Sequence, residues 1–296
     1  MNNAWFAVAL SLCWGSAAQA QQTAAELFAR LGPESPQAAV AGPVFPAWRQ
    51  FAVPAPKADG RPRIAIVIDD VGVNVPASRQ AVDLPGPLTV SLMTYAMNLP
   101  QLADAARRAG HEVMLHVPME PEAGDVDPGP NVLEAGIARE ELRRRIRWAL
   151  TRVDGIVGVN NHMGSKFTAD RGAMDTLMAE LAGRGLLFLD SLTTGHSAGR
   201  AASKAAGVPY LARDVFLDNE PEAVAVRTQL RELEAVARRD GSAIAIAHPK
   251  PGTIQALREW LPTLAERGLV LVPLTALLQP PPAAPAAVAR ANNPTR

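Results

Sequence analysis

Asp69 and Asp70 stand side by side where a short apolar run, Ile64–Ile68, gives way to a turn at Gly72. Four more polar groups occupy the same kind of position. The run Glu112–His116 passes into His116-Val117-Pro118-Met119-Glu120, and the run Ile156–Val159 passes into Asn160-Asn161-His162-Met163-Gly164-Ser165. Leu186–Leu189 ends in Asp190-Ser191, and Ala243–Ala247 ends in His248-Pro249. Imidazoles and carboxylates together are the donors of zinc or a similar divalent ion, whose open position carries a water of lowered pKa. The same groups transfer protons near neutral pH. Taken singly, each has a plainer reading. Asp-Asp after a strand commonly caps a helix or a turn, and Asp190-Ser191 alone reads equally as a cap. A histidine there is commonly a hydrogen-bonded structural residue. Recurrence at five run ends favours one shared site, and two adjacent carboxylates on one rim need a cation or separate hydrogen bonds to hold them apart. Of the remaining histidines, His111 precedes its run and reads as surface or structural, and His196 lies in the Thr193–Ser197 loop with no required role.

The elements that must position these groups alternate along the chain. Further apolar runs are Leu88–Leu92, Tyr210–Leu211 or Val215–Leu217, and Leu269–Val272. Continuous rather than alternating apolarity marks strands buried on both faces. Between them the spacing predicts amphipathic helices over Glu140–Val153, Gly172–Gly183, Pro221–Arg239 and Thr253–Arg267. About seven or eight β–α units in series imply parallel strands with right-handed crossovers. The expected fold is a single α/β domain, a deformed (β/α) barrel rather than an open doubly wound sheet. Such barrels collect their reactive groups at the C-terminal strand ends. No Gly-x-Gly-x-x-Gly turn follows the first strand, so dinucleotide binding has no support.

Composition narrows the partners. The 296 residues carry 29 basic and 29 acidic side chains, without the basic surplus that nucleic acid or an anionic membrane surface demands. Residues 1–20 read as a cleaved signal peptide: the apolar run from Trp5 to Trp14 is too short to span a bilayer, and Ala18-Gln19-Ala20 suits a signal peptidase. A periplasmic or secreted protein with no stable membrane insertion is expected. The only cysteine, Cys13, lies within that segment, so the mature chain has no disulfide and no thiol nucleophile. Residues 21–60 form a Pro/Ala-rich linker or arm, with one short helix expected over Ala24–Leu31, and 280–296 a disordered tail. The folded body is 61–279.

The motifs Ile68-Asp69-Asp70-x-Gly72, Gly110-His111-Glu112-Val113-x-x-His116-x-Pro118-Met119-Glu120-Pro121, Asn160–Ser165, Leu189-Asp190-Ser191 and His248-Pro249, in that order, resemble the divergent polysaccharide deacetylase family. The resemblance covers about 61–279. It implies a deformed barrel related to the carbohydrate esterases that remove N- or O-acetyl groups from glycans. Carried over residue by residue, Asp69 is the general base, Asp70 a metal ligand, and His248 the acid that protonates the leaving group. His116 matches the first histidine of a two-histidine ligand motif, whose second position holds Glu120. Either Glu120 completes the site or His162 does, and His162 is favoured because Pro118 and Pro121 make the local backbone unlike a helix that would align positions 116 and 120. Asp190 is assigned to orient His248 or to hold the Asn160–Ser165 loop. Asn161, Ser165 and Glu120 are assigned to substrate. The superfamily's arginine-bearing motif has no evident match. The expected activity is metal-dependent deacetylation of an envelope polysaccharide or related glycan, with zinc as the expected ion. The alternatives are a glycan-binding or scaffold protein without turnover, and a metallohydrolase acting on another bond.

Overall fold

A computed structural model describes residues 45–278. The expected signal peptide, the helix over Ala24–Leu31, the greater part of the 21–60 segment and the 280–296 tail lie outside the described residues. The strands are β1 (Arg63–Val71), β2 (Thr89–Met93), β3 (Glu112–Met119), β4 (Gly158–Met163), β5 (Leu187–Asp190), β6 (Tyr210–Ala212), β7 (Val215–Phe216), β8 (Ser242–Ala247) and β9 (Val270–Leu271). The helices are α1 (Ala47–Gln50), α2 (Val75–Val82), α3 (Leu99–Arg108), α4 (Arg139–Leu150), α5 (Ser165–Ala169), α6 (Arg171–Ala182), α7 (Gly199–Ala206), α8 (Ala223–Asp240) and α9 (Pro251–Trp260). Local chemistry sets several boundaries. Asn74 and Asp170 cap α2 and α6 by accepting from Ala77 and Ala173 N–H, and α8 stops at Gly241 with φ 82°. The single helix expected over Thr253–Arg267 instead breaks after Trp260. Pro262 lacks the N–H an α-helix needs, and Leu261–Thr263 turn as a 3₁₀ segment.

All paired strands are parallel, in the order β6-β5-β4-β3-β2-β1-β8-β7, with β9 beside the start of β1. The fold is thus a curled α/β sheet, a deformed barrel, as the sequence pattern implied. Both of the alternative runs at 210–217 are strands. They lie at opposite ends of the sheet order, yet only Arg213 and Asp214 separate them. Arg213 N–H still donates to Asp190 O of β5, and Asp214 N–H donates to Ile244 O of β8. One extended segment therefore pairs with one sheet edge at its start and with the other at its end, which draws the curled sheet towards closure.

Strand alternation then sorts side chains to two faces. Ile64, Ile66, Ile68 and Phe188 join the large core beneath the helices. Ala65, Val67, Met114, Leu187, Leu189, Ile244 and Ile246 form a smaller core inside the curl, with Trp48 and Leu274. At its floor Glu112 accepts from Thr89 Oγ1, Thr275 Oγ1, and the backbone N–H groups of Thr275 and Val53. That carboxylate ties the segment before β1 and the turn after β9 to the barrel. The described part of the 21–60 segment lies on the domain as well, with Trp48 buried and its N–H on Gly185 O.

Candidate active site

Continuing the inward parity upward predicts which groups meet at the mouth. Asp69 follows Ala65 and Val67, His116 follows Met114, and His248 follows Ile244 and Ile246. All three line one cleft of about 350 Å³, with Asn161, His162, Ser191, Arg213 and Phe216 among the other walls. Asp70 should face outward by the same rule. Instead its backbone turns left-handed, φ 56°, at a register shift between Ile68 and Val71. A kink of this kind re-aims a side chain, and here it brings both carboxylates to one site.

Asp70 Oδ1, His116 Nε2 and His162 Nδ1 converge. Asp70 Oδ1 lies 3.4 Å from the first nitrogen and 3.3 Å from the second, and the nitrogens are 3.2 Å apart. Among the described residues this is the group of three whose donor atoms cluster as a cation site requires. Those edges match the separation of about 3.3 Å between ligands in a tetrahedron with bonds near 2.0–2.1 Å. Asp70 Oδ1 is also buried without a hydrogen-bond donor of good geometry. Asn160 fixes the tautomer of His116: its carbonyl takes Nδ1 at 2.9 Å, so Nε2 turns a lone pair to the cluster. Burial lowers the pKa of His116 and outweighs the carboxylates beside it, keeping the ring neutral and able to ligate. Burial pushes the Asp70 carboxyl upward, but contact with His162 and the charges of His116 and His248 prevail, and it sits well below the usual carboxylate range. These groups fit a divalent cation.

Glu120 does not face them. Its carboxylate accepts from Lys166 Nζ at 2.6 Å and Ala135 N–H at 2.8 Å, on a segment already past the end of β3. Ser165 is likewise engaged, accepting from Glu122 N–H through Oγ. Asn161 spans the next loop, accepting Ser191 N–H and donating to Met163 O. Gly164 makes that loop possible: φ is 89°, and a Cβ there would meet the Met119 Cβ at 2.7 Å.

The two groups expected from the sequence to transfer protons flank the triad. Asp69 is fully buried, and the Asn160 amide donates to both of its oxygens at 2.9 Å. Burial raises its pKa against the opposing charges of His116 and His248, which suits a base working near neutral pH. His248 Nε2 lies 3.9 Å from Asp70 Oδ2, while its Nδ1 is held at 2.9 Å by Asp218. Burial disfavours the imidazolium, yet the bond to Asp218 and the charges of Asp69, Asp218 and Asp70 outweigh it and raise the pKa.

Asp190 therefore does not orient His248, and it does not hold the Asn160–Ser165 loop. It shares the outward parity of Phe188 and accepts from Ser197 Oγ, Tyr210 OH and Leu192 N–H on the helix side of β5. Asp218 was not singled out from the sequence. Its signal was present: it follows Val215–Leu217 as Asp69 follows Ile64–Ile68. His111 is buried and structural, bonded to Leu88 N–H and Val82 O at the opposite end of the strands.

The chain's similarities fall along the same residues. A profile of the family described as divergent polysaccharide deacetylase matches residues 66–278. The uncharacterized protein YibQ of Escherichia coli K12 is 35% identical over 219 residues, 74% of this chain and 68% of its own. An uncharacterized protein of Haemophilus influenzae is 36% identical over 205 residues, covering 69% and 72%. The crystal structure of the uncharacterized protein ATU2773 of Agrobacterium tumefaciens superposes with a TM-score of 0.75 at 31% identity, over 78% of this chain and 95% of that one. With the family's match spanning every strand end that builds the cleft, this chain belongs to the divergent polysaccharide deacetylase family.

Proposed function

We propose that the protein is a zinc-dependent deacetylase of an envelope glycan, acting in the periplasm or outside the cell. The carrying observation is the convergence of Asp70, His116 and His162 between a buried carboxylate, Asp69, and an anchored imidazole, His248. A divalent cation held by Asp70, His116 and His162 would polarise water and the acetyl carbonyl and offset the negative charge that builds on the carbonyl oxygen. Asp69, held by the Asn160 amide, removes the proton of the attacking water as the new carbon–oxygen bond forms. His248, whose charged form Asp218 favours, gives the Nε2 proton to the departing nitrogen or oxygen of the sugar. The products are acetate and a free amine or hydroxyl. Export is supported by the apolar segment and small residues within positions 1–20, and by a mature chain free of cysteine. No helix among the described residues is long and apolar enough to cross a membrane.

The test is acetate release from a panel of N- and O-acetylated oligosaccharides by the zinc-loaded mature chain, with Asp69→Asn in parallel. Release lost by about 10²- to 10⁴-fold in the variant, with zinc content unchanged, is the expected result. Binding of glycan with no acetate released by either protein would instead make this a binding member of the family. Release of another group from peptidyl or phosphorylated substrates would reassign the bond.

A further inference from the structure

Arg213 stands in the cleft wall where the chain passes from β6 to β7. Its Nε donates to Ser191 O at 2.9 Å and its Nη2 to Leu192 O at 3.2 Å, both backbone carbonyls. A guanidinium has five N–H groups, so these bonds leave the Nη1–Nη2 edge available for a forked contact. The group is half-buried, yet no carboxylate of the described residues lies within ion-pair distance of it. Asp190 is committed to Ser197, Tyr210 and Leu192, and Asp69 to Asn160. The charges of Asp190, Asp69 and Asp214 favour the cation from beyond contact distance but do not outweigh its burial, so a ligand that brings an anion to the free edge is favoured. Among the Phe, Tyr and Trp side chains of the described residues, Phe216 is the one that lines the cleft, with the Arg213 guanidinium 5.1 Å from its ring centroid and the His248 ring in T-shaped contact.

We infer that Arg213 is a specificity residue that binds a carboxylate on the glycan, so that the substrate is an acidic rather than a neutral polysaccharide. The inference rests on the deacetylase reading and adds the class of glycan to it. The carboxylate belongs either to a uronic acid ring or to a lactyl ether on an amino sugar, and both present the same forked acceptor.

Equilibrium binding, rather than turnover, separates this inference from the reading beneath it. The zinc-loaded mature chain is titrated calorimetrically with uronate-containing, lactyl-bearing and neutral acetylated oligosaccharides of equal length. One acidic class is expected to bind about tenfold more tightly than the neutral one, and which class does so identifies the source. Arg213→Gln removes that preference and leaves neutral binding within about twofold, whereas Arg213→Lys, which keeps the charge but loses the fork, retains part of it. A purely structural role in holding Ser191 and Leu192 would weaken acidic and neutral ligands alike and would overturn the inference. So would equal affinity of the wild-type protein for acidic and neutral oligosaccharides. Should Arg213→Gln fail to fold, the Arg213→Lys ratio decides: an unchanged preference counts against Arg213. Acidic preference without acetate release would overturn the deacetylase reading and leave the subsite standing.

Discussion

Asp218 holds His248 at two points: one carboxylate oxygen bonds Nδ1 at 2.9 Å, and the other takes the His248 backbone N–H at 2.8 Å. Thr253 Oγ1 donates to that second oxygen as well, and Asp218 itself is wholly buried. The ring can neither rotate nor exchange tautomers freely, so Nε2 is the nitrogen that faces the cleft.

Turnover should follow from this as a bell in pH. Asp69 must be ionised, and its raised pKa places the acid limb above that of an ordinary carboxylate. His248 must be protonated, so activity persists below its raised pKa and falls as pH climbs through it. Asp218→Asn removes the charge that raises His248. The alkaline limb of kcat should move to lower pH, with kcat down by about 10²-fold or more at neutral pH. A pH–rate profile of the two proteins checks the direction.

Metal affinity distinguishes the two candidates for the third ligand. His162→Ala should weaken zinc binding to the apo protein by about a hundredfold or more, whereas Glu120→Gln, whose carboxylate faces Lys166 and Ala135, should leave it nearly unchanged. Competition titration against a chromophoric chelator reads both. A larger loss in Glu120→Gln would reverse the assignment.

Asn160 is a single support beneath two functional groups, with its carbonyl on His116 and its amide on Asp69. Asn160→Leu keeps the volume and removes both bonds, and it strands Ser91 Oγ as well. Zinc affinity should fall about 10- to 100-fold while the melting temperature also drops. Calorimetry for the metal and thermal unfolding of the apo protein measure the two losses separately.

At the barrel floor, Glu112→Gln replaces an acceptor of four donors with a group that must turn its amide NH₂ toward two of them. The expected cost is about 1–3 kcal/mol, seen as a lower melting temperature. Burial also raises the pKa of Glu112 against its hydrogen bonds from Thr275, Val53 and Thr89. For this group alone, folded-state stability declines as pH rises from the ordinary carboxylate value through the raised one. That slope should vanish in the variant.

The strands that carry the site were legible because runs such as Ile64–Ile68 are buried on both faces and stay apolar throughout. Where each run ended then pointed to Asp69, His116, His162 and His248. Inward or outward aim was less accessible. Alternation from Leu187 and Leu189 would have turned Asp190 away from the cleft, but which face was inside needed the closed sheet. The opposite case is Asp70, which alternation sends outward and a left-handed backbone returns, a conformation that the residue type permits without announcing. Asp218 and Arg213 went unassigned because the strands beside them are two and three residues long, too short for periodicity to separate from a loop.

The strand that changes partners at Arg213 and Asp214 divides the molecule's dependencies. The groups proposed to hold a cation sit on β1, β3 and β4, which with β2 form a run of successive neighbours that pairs with neither β6 nor β7 except through β5 and β8. Asp218 and Arg213 owe their places to the seam. A cut or an insertion there should give a protein that still captures its ion but has lost both the anchor of its acid and its hold on charge. Grip and turnover are thus separable by a lesion of the backbone that touches no ligand.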